Sequence, residues 1–150
     1  MRSCRLNVMP APEARAYVVK TAVSDPTAAG FVFPAQKTMY GGKHIAAGDV
    51  VYVFASETHG GAGLIARGVV TTASSVPRCP GLARQTPRVS VQVQCTGVAR
   101  RPLGRTELKP FSDCEDRQPQ TELNFKCYRQ ATDKIVGIEP ATATFLEGFF

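Results

Sequence analysis

The most regular pattern in the chain lies between residues 88 and 95, where Val89, Val91, Val93 and Cys95 fall on one side and Arg88, Ser90, Gln92 and Gln94 on the other. A period of two with one apolar face predicts a half-buried antiparallel strand. Ala16 to Lys20, reading AYVVK, is β-branched and aromatic, and is bounded by Pro12 before it and Ser24-Asp25-Pro26 after it. That composition between turn signals predicts another strand. Val50 to Ala55 is continuously apolar, as a strand buried on both faces is, and Leu64 to Thr72 repeats the strand pattern after a polar, glycine-rich connection that suits a hairpin. At the C-terminus Pro140 sits where the first position of a helix falls, and Ala141, Phe145 and Phe149, with Leu146 and Phe150, form an apolar face at helical spacing. That helix is expected to dock on the sheet.

The remaining segments read as connections. Residues 27 to 48 hold five glycines and prolines and are read as a long loop with room for one short helical turn. Residues 73 to 88, with Pro77, Pro80 and Pro87, form a second connection. Residues 99 to 120 carry a basic patch (Arg100, Arg101, Arg105, Lys109) followed by an acidic one (Asp113, Glu115, Asp116). No repeat, low-complexity tract or change of composition divides the chain, so residues 1–150 are read as a single domain with 1–14 as a flexible lead. Four to six short strands and a terminal helix predict an α+β protein, a small closed or partly open β-barrel with helices against it.

Composition narrows the class. A chain of 150 residues with 43% hydrophobic and 20% charged residues can offset its ordering entropy by burial, which argues against intrinsic disorder. The longest apolar run, Val50 to Ala55, is far short of the ~20 residues of a membrane helix, and the N-terminus lacks the apolar core of a secretory signal. The expectation is a cytoplasmic protein without membrane association. The five cysteines, Cys4, Cys79, Cys95, Cys114 and Cys127, are odd in number and show no C-x-x-C pair, so they are read as reduced thiols, with Cys95 and Cys127 buried as small hydrophobes.

Gly61-Ala62-Gly63-Leu64-Ile65-Ala66 matches the form G-x-G-x-x-G/A of a dinucleotide-binding turn, yet Val69-Val70-Thr71-Thr72 continues as a strand where that site needs a helix. The glycines are read instead as a tight turn or a close backbone approach. His44 and His59 have no partner at ligand spacing, so neither a metal nor a cofactor is expected. His44 reads as a surface residue. His59 lies beside Ser56, Glu57 and Thr58, and reads equally as part of a binding loop or as a solvated hairpin tip.

The net charge of +6 is explained as well by solubility as by a polyanionic partner. Lys37, Lys43, Arg67, Arg100, Arg101, Arg105, Lys126 and Arg129 could form a phosphate-facing stripe, with Phe31, Phe33, Tyr40, Phe54, Phe125 and Tyr128 interleaved for base stacking. Composition weighs this evenly against core phenylalanines and scattered arginines.

Several blocks, in order and spacing, resemble the EVE family of the PUA-like superfamily. They are Tyr17-Val18-Val19-Lys20-Thr21, Gly48-Asp49-Val50-Val51-Tyr52-Val53-Phe54, Gly63-Leu64-Ile65-Ala66-Arg67-Gly68-Val69-Val70, and the tail Leu123 to Thr132, which is similar to a block of bacterial members. Tyr17 stands where that family usually has Trp, Ala22-Val23 replaces its Glu-Pro, and Lys37-Thr38-Met39-Tyr40 loosely echoes its Arg-Asn-Tyr. The resemblance implies a PUA-like mixed pseudo-barrel of five to six strands with short helices, a C-terminal helix packed against it and a pocket on one face. In the EVE, YTH and PUA families that pocket is associated with RNA or with modified bases in DNA.

On this resemblance the expected function is a non-catalytic module that binds DNA or RNA and reads a modified base such as modified cytosine. Tyr40 and Phe54 are the expected walls, Thr21, Ser56, Glu57 and Gln130 the edge readers, and Lys20, Lys37 and Arg129 the groups that hold phosphate or close the pocket, with His59 and Tyr128 completing the set. An alternative from ASCH-type relatives is a small amidohydrolase acting on acylated nucleosides with Lys20, Thr21 and Glu57. Adjacent strand residues point to opposite faces, which argues against that trio. A small-molecule sensor or interaction module is the remaining alternative.

Overall fold

The computed structural model describes residues 16–23, 25, 28–57, 61, 63–77, 80–81, 87–112, 118–128 and 134–150. Six strands close into a mixed barrel: β1 (Ala16–Thr21), β2 (Gly30–Met39), β3 (Val50–Ala55), β4 (Gly63–Ser75), β5 (Arg88–Val98) and β6 (Lys134–Gly137), in the spatial order β1-β3-β4-β5-β2-β6. β1 runs parallel to β3 and antiparallel to β6, and β2 runs parallel to β6. The class is α+β, at the six-strand end of the sequence expectation.

Two cores explain why β1 and β3 lack polar alternation. Tyr17, Val19, Val51, Val53 and Ile135 fill the barrel with Phe31, Phe33, Val89, Val91 and Val93. The alternate positions Val18, Tyr52, Phe54 and Val136 form an outer core with Leu103, Leu108, Leu123, Cys127, Leu146 and Phe149. The outer layer comprises α1 (Arg105–Leu108), α2 (Pro119–Leu123), which continues as a π-helical turn over Asn124–Tyr128, and α3 (Pro140–Glu147). α3 begins at Pro140 as predicted, but Ala141 is exposed and Thr142 takes the inward position, its hydroxyl donating to Glu122.

β2 and β6 depart from the sequence reading. β2 occupies much of the stretch read as a loop, because Phe31 and Phe33 stack inside the barrel at 5.8 Å between ring centroids while Pro34 is absorbed in a bulge. Pairing passes from Phe33 opposite Val91 to Gln36 opposite Val89, and Ala35 takes the left-handed φ of 51° with its N–H donated to Ser90 Oγ at 2.9 Å. A bulge of this kind lets a proline lie in a strand without a broken ladder. The expected short helical turn is present at Gly42–His44. β6, four residues long, is too brief to carry a periodicity, and β4 extends past Thr72 to Ser75. No helix opens after Gly61 and Gly63: Cβ atoms there would lie 2.5 Å from Ala55 and 2.4 Å from the Leu103 carbonyl oxygen, so this motif is a close backbone approach.

Cys127 is buried and Cys95 only half-buried; Cys4, Cys79 and Cys114 lie outside the described residues. Burial pushes the Cys127 thiol up to about 12, so it stays protonated and inert as a nucleophile. Among the described residues no helix is long and apolar enough to cross a membrane.

A polar clasp fastens α3 to the barrel. The Tyr52 hydroxyl and Arg67 Nε both donate to Glu147 Oε2, and Arg67 also donates to Thr96 Oγ1 at 2.8 Å. Burial alone would raise the Glu147 carboxyl, but the hydrogen bonds from Tyr52 and Arg67 outweigh it and hold the group below its ordinary value. The folded state therefore loses this proton more readily than the unfolded chain. The clasp contributes fully above the ordinary glutamate value of about 4.3 and is lost as pH falls through the lowered folded value. Urea midpoints measured from pH 6 down to pH 3 should fall for the wild type and fall less for Glu147→Gln. Parallel curves for the two proteins would remove Glu147 from the acid sensitivity.

Candidate functional site

β1 alternation carries Lys20 to the outer side of the barrel, the side of Val18, where it is covered by the end of the π-helical turn. Lys20 Nζ lies 4.7 Å from the centroid of the Tyr128 ring. The Tyr128 hydroxyl donates to the Glu57 carboxylate at 3.1 Å, and the Arg105 backbone N–H donates to Glu57 Oε2 at 2.8 Å. Burial, followed by the negative charge of Glu57, raises the Tyr128 phenol far above its ordinary value, so it remains a donor at any physiological pH.

A second ring and ammonium pair lies beside the first. Lys126 Nζ sits 4.4 Å from the centroid of Tyr40, held by Glu122 Oε2 at 2.6 Å and by the Gly137 carbonyl at 2.7 Å. Glu122 also accepts from Thr142 and from the Glu139 N–H, so its carboxylate ties α2 to α3 and sets the direction of Lys126. Tyr40 takes a left-handed φ of 54° at the turn after β2, and the residue is 43% exposed. Between the two pairs, Lys20, Lys126, Cys127, Lys134, Val18 and Val136 enclose a void of about 10 Å³. That is room for about one water and not for a planar base.

The structure brings together Lys20, Glu57 and Tyr128 of the residues expected from sequence, with Tyr40 joined to them through Lys126. Lys37 lies in the same register row as Lys134 and Lys20. Phe54 is a correction: it is fully buried in the outer core, because in a strand covered on both sides the apolar run does not distinguish wall from core, and it offers no face to a ligand. Tyr128 supplies the second ring instead. Thr21 and Lys20 alternate across β1, so Lys20, Thr21 and Glu57 do not converge; the Thr21 carbonyl accepts the Ser56 N–H at 2.9 Å. Ser56 is wholly buried, and its Oγ has no hydrogen-bond partner among the described residues. His59, Arg129 and Gln130 lie outside the described residues.

The basic stripe read from composition divides in two. Arg67 is bound to Glu147, Arg100 donates to the Phe150 carbonyl at 2.9 Å, and Arg101 donates to the Gly148 carbonyl at 2.8 Å, so these arginines anchor the C-terminal segment. Lys37, Arg105 and Lys126 remain on the side of the tyrosine pair. Lys134 is the residue that sequence reasoning missed; no local motif marks it, and strand register alone places it at the void.

No family model matches the sequence, and no curated protein matches it. Solved structures do. Human THYN1, in a crystal structure in complex with DNA containing 5-methylcytosine, is 11% identical with a TM-score of 0.60, over 90% of this chain and 96% of that one. A protein from Leishmania major is 13% identical with a TM-score of 0.60, over 93% of this chain and 96% of that one. A protein from Pseudomonas putida is 13% identical with a TM-score of 0.57, over 89% and 98%. The chain thus has the fold of the THYN1 DUF55 domain, and its closed mixed barrel with a C-terminal helix is the architecture that the sequence resemblance implies.

Proposed function

We propose that the protein is a non-catalytic module that binds DNA or RNA and reads a modified base, such as a modified cytosine. The observation that carries this reading is the pair of tyrosine rings, Tyr40 and Tyr128, each faced by a lysine ammonium on either side of one small void. An aromatic face can stack on a base, and the cations that now cover the rings become available to phosphate once a base displaces them. Glu57, an acceptor at the edge of Tyr128, matches the exocyclic amine that cytosine presents. The fold shared with THYN1, which has been crystallised with 5-methylcytosine DNA, supports the same reading.

The void is too small for a base, so binding begins with displacement of Lys20 from Tyr128 or of Lys126 from Tyr40. Fluorescence anisotropy with labelled DNA and RNA oligonucleotides, with and without 5-methylcytosine, tests the proposal. Saturable binding that is tighter for the modified strand is the expected result. No affinity for any oligonucleotide at low salt would sink it.

A further inference from the structure

Strand register brings a row of cations together that sequence position keeps apart. Arg88 on β5 is the partner of Lys37 on β2, Lys37 is the partner of Lys134 on β6, and Lys134 is the partner of Lys20 on β1. Register partners project from the same face of a sheet. The next residues in each strand, Val89, Thr38, Ile135 and Val19, are buried toward the barrel, so the row lies on its outside. With neighbouring strands about 4.8 Å apart, it spans about 14 Å.

Like charges directly opposed across a ladder destabilise it, so such a row is a cost to the fold unless an anion meets it. Among the described residues no ion pair involves Arg88, Lys37 or Lys134: Arg88 donates to the Ala35 carbonyl at 2.9 Å, and Lys134 Nζ contacts Met39 Sδ at 2.9 Å. At the Arg88 end the row opens into a cleft of about 310 Å³ lined by Lys43, His44, Ser75, Pro87 and Arg88, with no carboxylate among the described residues of its lining. The turn that carries Lys43 and His44 is seated hard on β6, since a Cβ at Gly42 would lie 2.1 Å from the Ile135 carbonyl oxygen. Exposure grades along the row. Arg88, Lys43 and His44 are exposed, Lys37 and Lys134 half-buried, and Lys20 buried beneath Tyr128.

We propose that this row is the track of a nucleic-acid backbone, entering at the cleft of Lys43, His44 and Arg88 and passing Lys37 and Lys134 to the tyrosine pair. The inference rests on the proposed nucleic-acid reading and adds to it the path of the strand. A row of about 14 Å is long enough to meet a short run of consecutive phosphates of one strand. Contacts of this kind set register and affinity and carry no base identity.

The test uses the full chain with Lys37→Gln and Arg88→Gln, singly and combined, and a fluorescein-labelled strand containing either cytosine or 5-methylcytosine, titrated at several salt concentrations. The slope of log K against log salt should become shallower by about 0.7–0.9 for each cation removed, with the preference between the two strands unchanged. Arg100→Gln, at an exposed arginine beyond the opposite end of β5 from Arg88, should leave the slope as in the wild type. Arg88 contacts the β2 backbone, so Lys43→Gln combined with Lys37→Gln replaces it if Arg88→Gln is misfolded. Wild-type slopes in the row variants, with binding intact, overturn the track and leave the base reading standing. Shallower slopes with equal binding of both strands support the track and overturn the base reading. A wild type that binds neither strand at low salt overturns both.

Discussion

Phe54→Ala should cost about 3–5 kcal/mol of folding stability, the range for deleting a phenyl ring from a well-packed core. For a domain of this length that corresponds to a fall in Tm of roughly 6–20 °C. The ring is fully buried between β3 and the helical layer, in one cluster with Leu64, Leu108, Leu123 and Leu146. α1, α2 and α3 all supply side chains to that cluster, so the cavity left by alanine cannot be filled by moving a single element. Phe54→Leu, which keeps more of the volume, should lose less stability and bind oligonucleotides as the wild type does. Urea denaturation and anisotropy on the same preparations separate the two effects. A Phe54→Ala protein that keeps its denaturation midpoint but no longer binds would return Phe54 to the site and remove it from the core.

What was legible in the sequence follows from how each element is buried. β5 has one wet face, so its period of two is plain, and β1 and β3 are covered on both sides, so they read as unbroken apolar runs. The same double burial hid which side of β3 faces the helices, and this is why Phe54 reads as readily as a wall as it does as core. β2 was obscured by Pro34, whose bulge interrupts the alternation on which strand reading depends. At the site, Lys20, Tyr40, Glu57 and Tyr128 are among the candidates the sequence offers, but the pairing of each tyrosine ring with its lysine is not legible there. A contact between Lys126 and Tyr40 depends on where a π-helical turn sits against the turn after β2, and the row from Arg88 to Lys20 depends on the register of four strands. Neither relation leaves a local mark in the chain.

The hydroxyl of Tyr128 should oppose binding while its ring supports it. The hydroxyl donates to Glu57, and so occupies the acceptor that the proposal gives to the exocyclic amine of a base. Tyr128→Phe keeps a stacking face and vacates Glu57, which still receives the Arg105 N–H. Its affinity for a cytosine-containing strand should equal or exceed that of the wild type. Tyr128→Ala removes the ring and should weaken binding by about 1–3 kcal/mol, the usual loss of one stacked base, or roughly 5–150-fold. Glu57→Gln should bind through the same rings and cations but lose about 1–3 kcal/mol of discrimination between cytosine and a base that presents a carbonyl at that edge. Anisotropy titrations of the three variants against matched strands give the ordering directly. If Tyr128→Phe weakens binding as much as Tyr128→Ala does, the phenol itself contacts the ligand, and Glu57 is its support instead of the acceptor that reads the base.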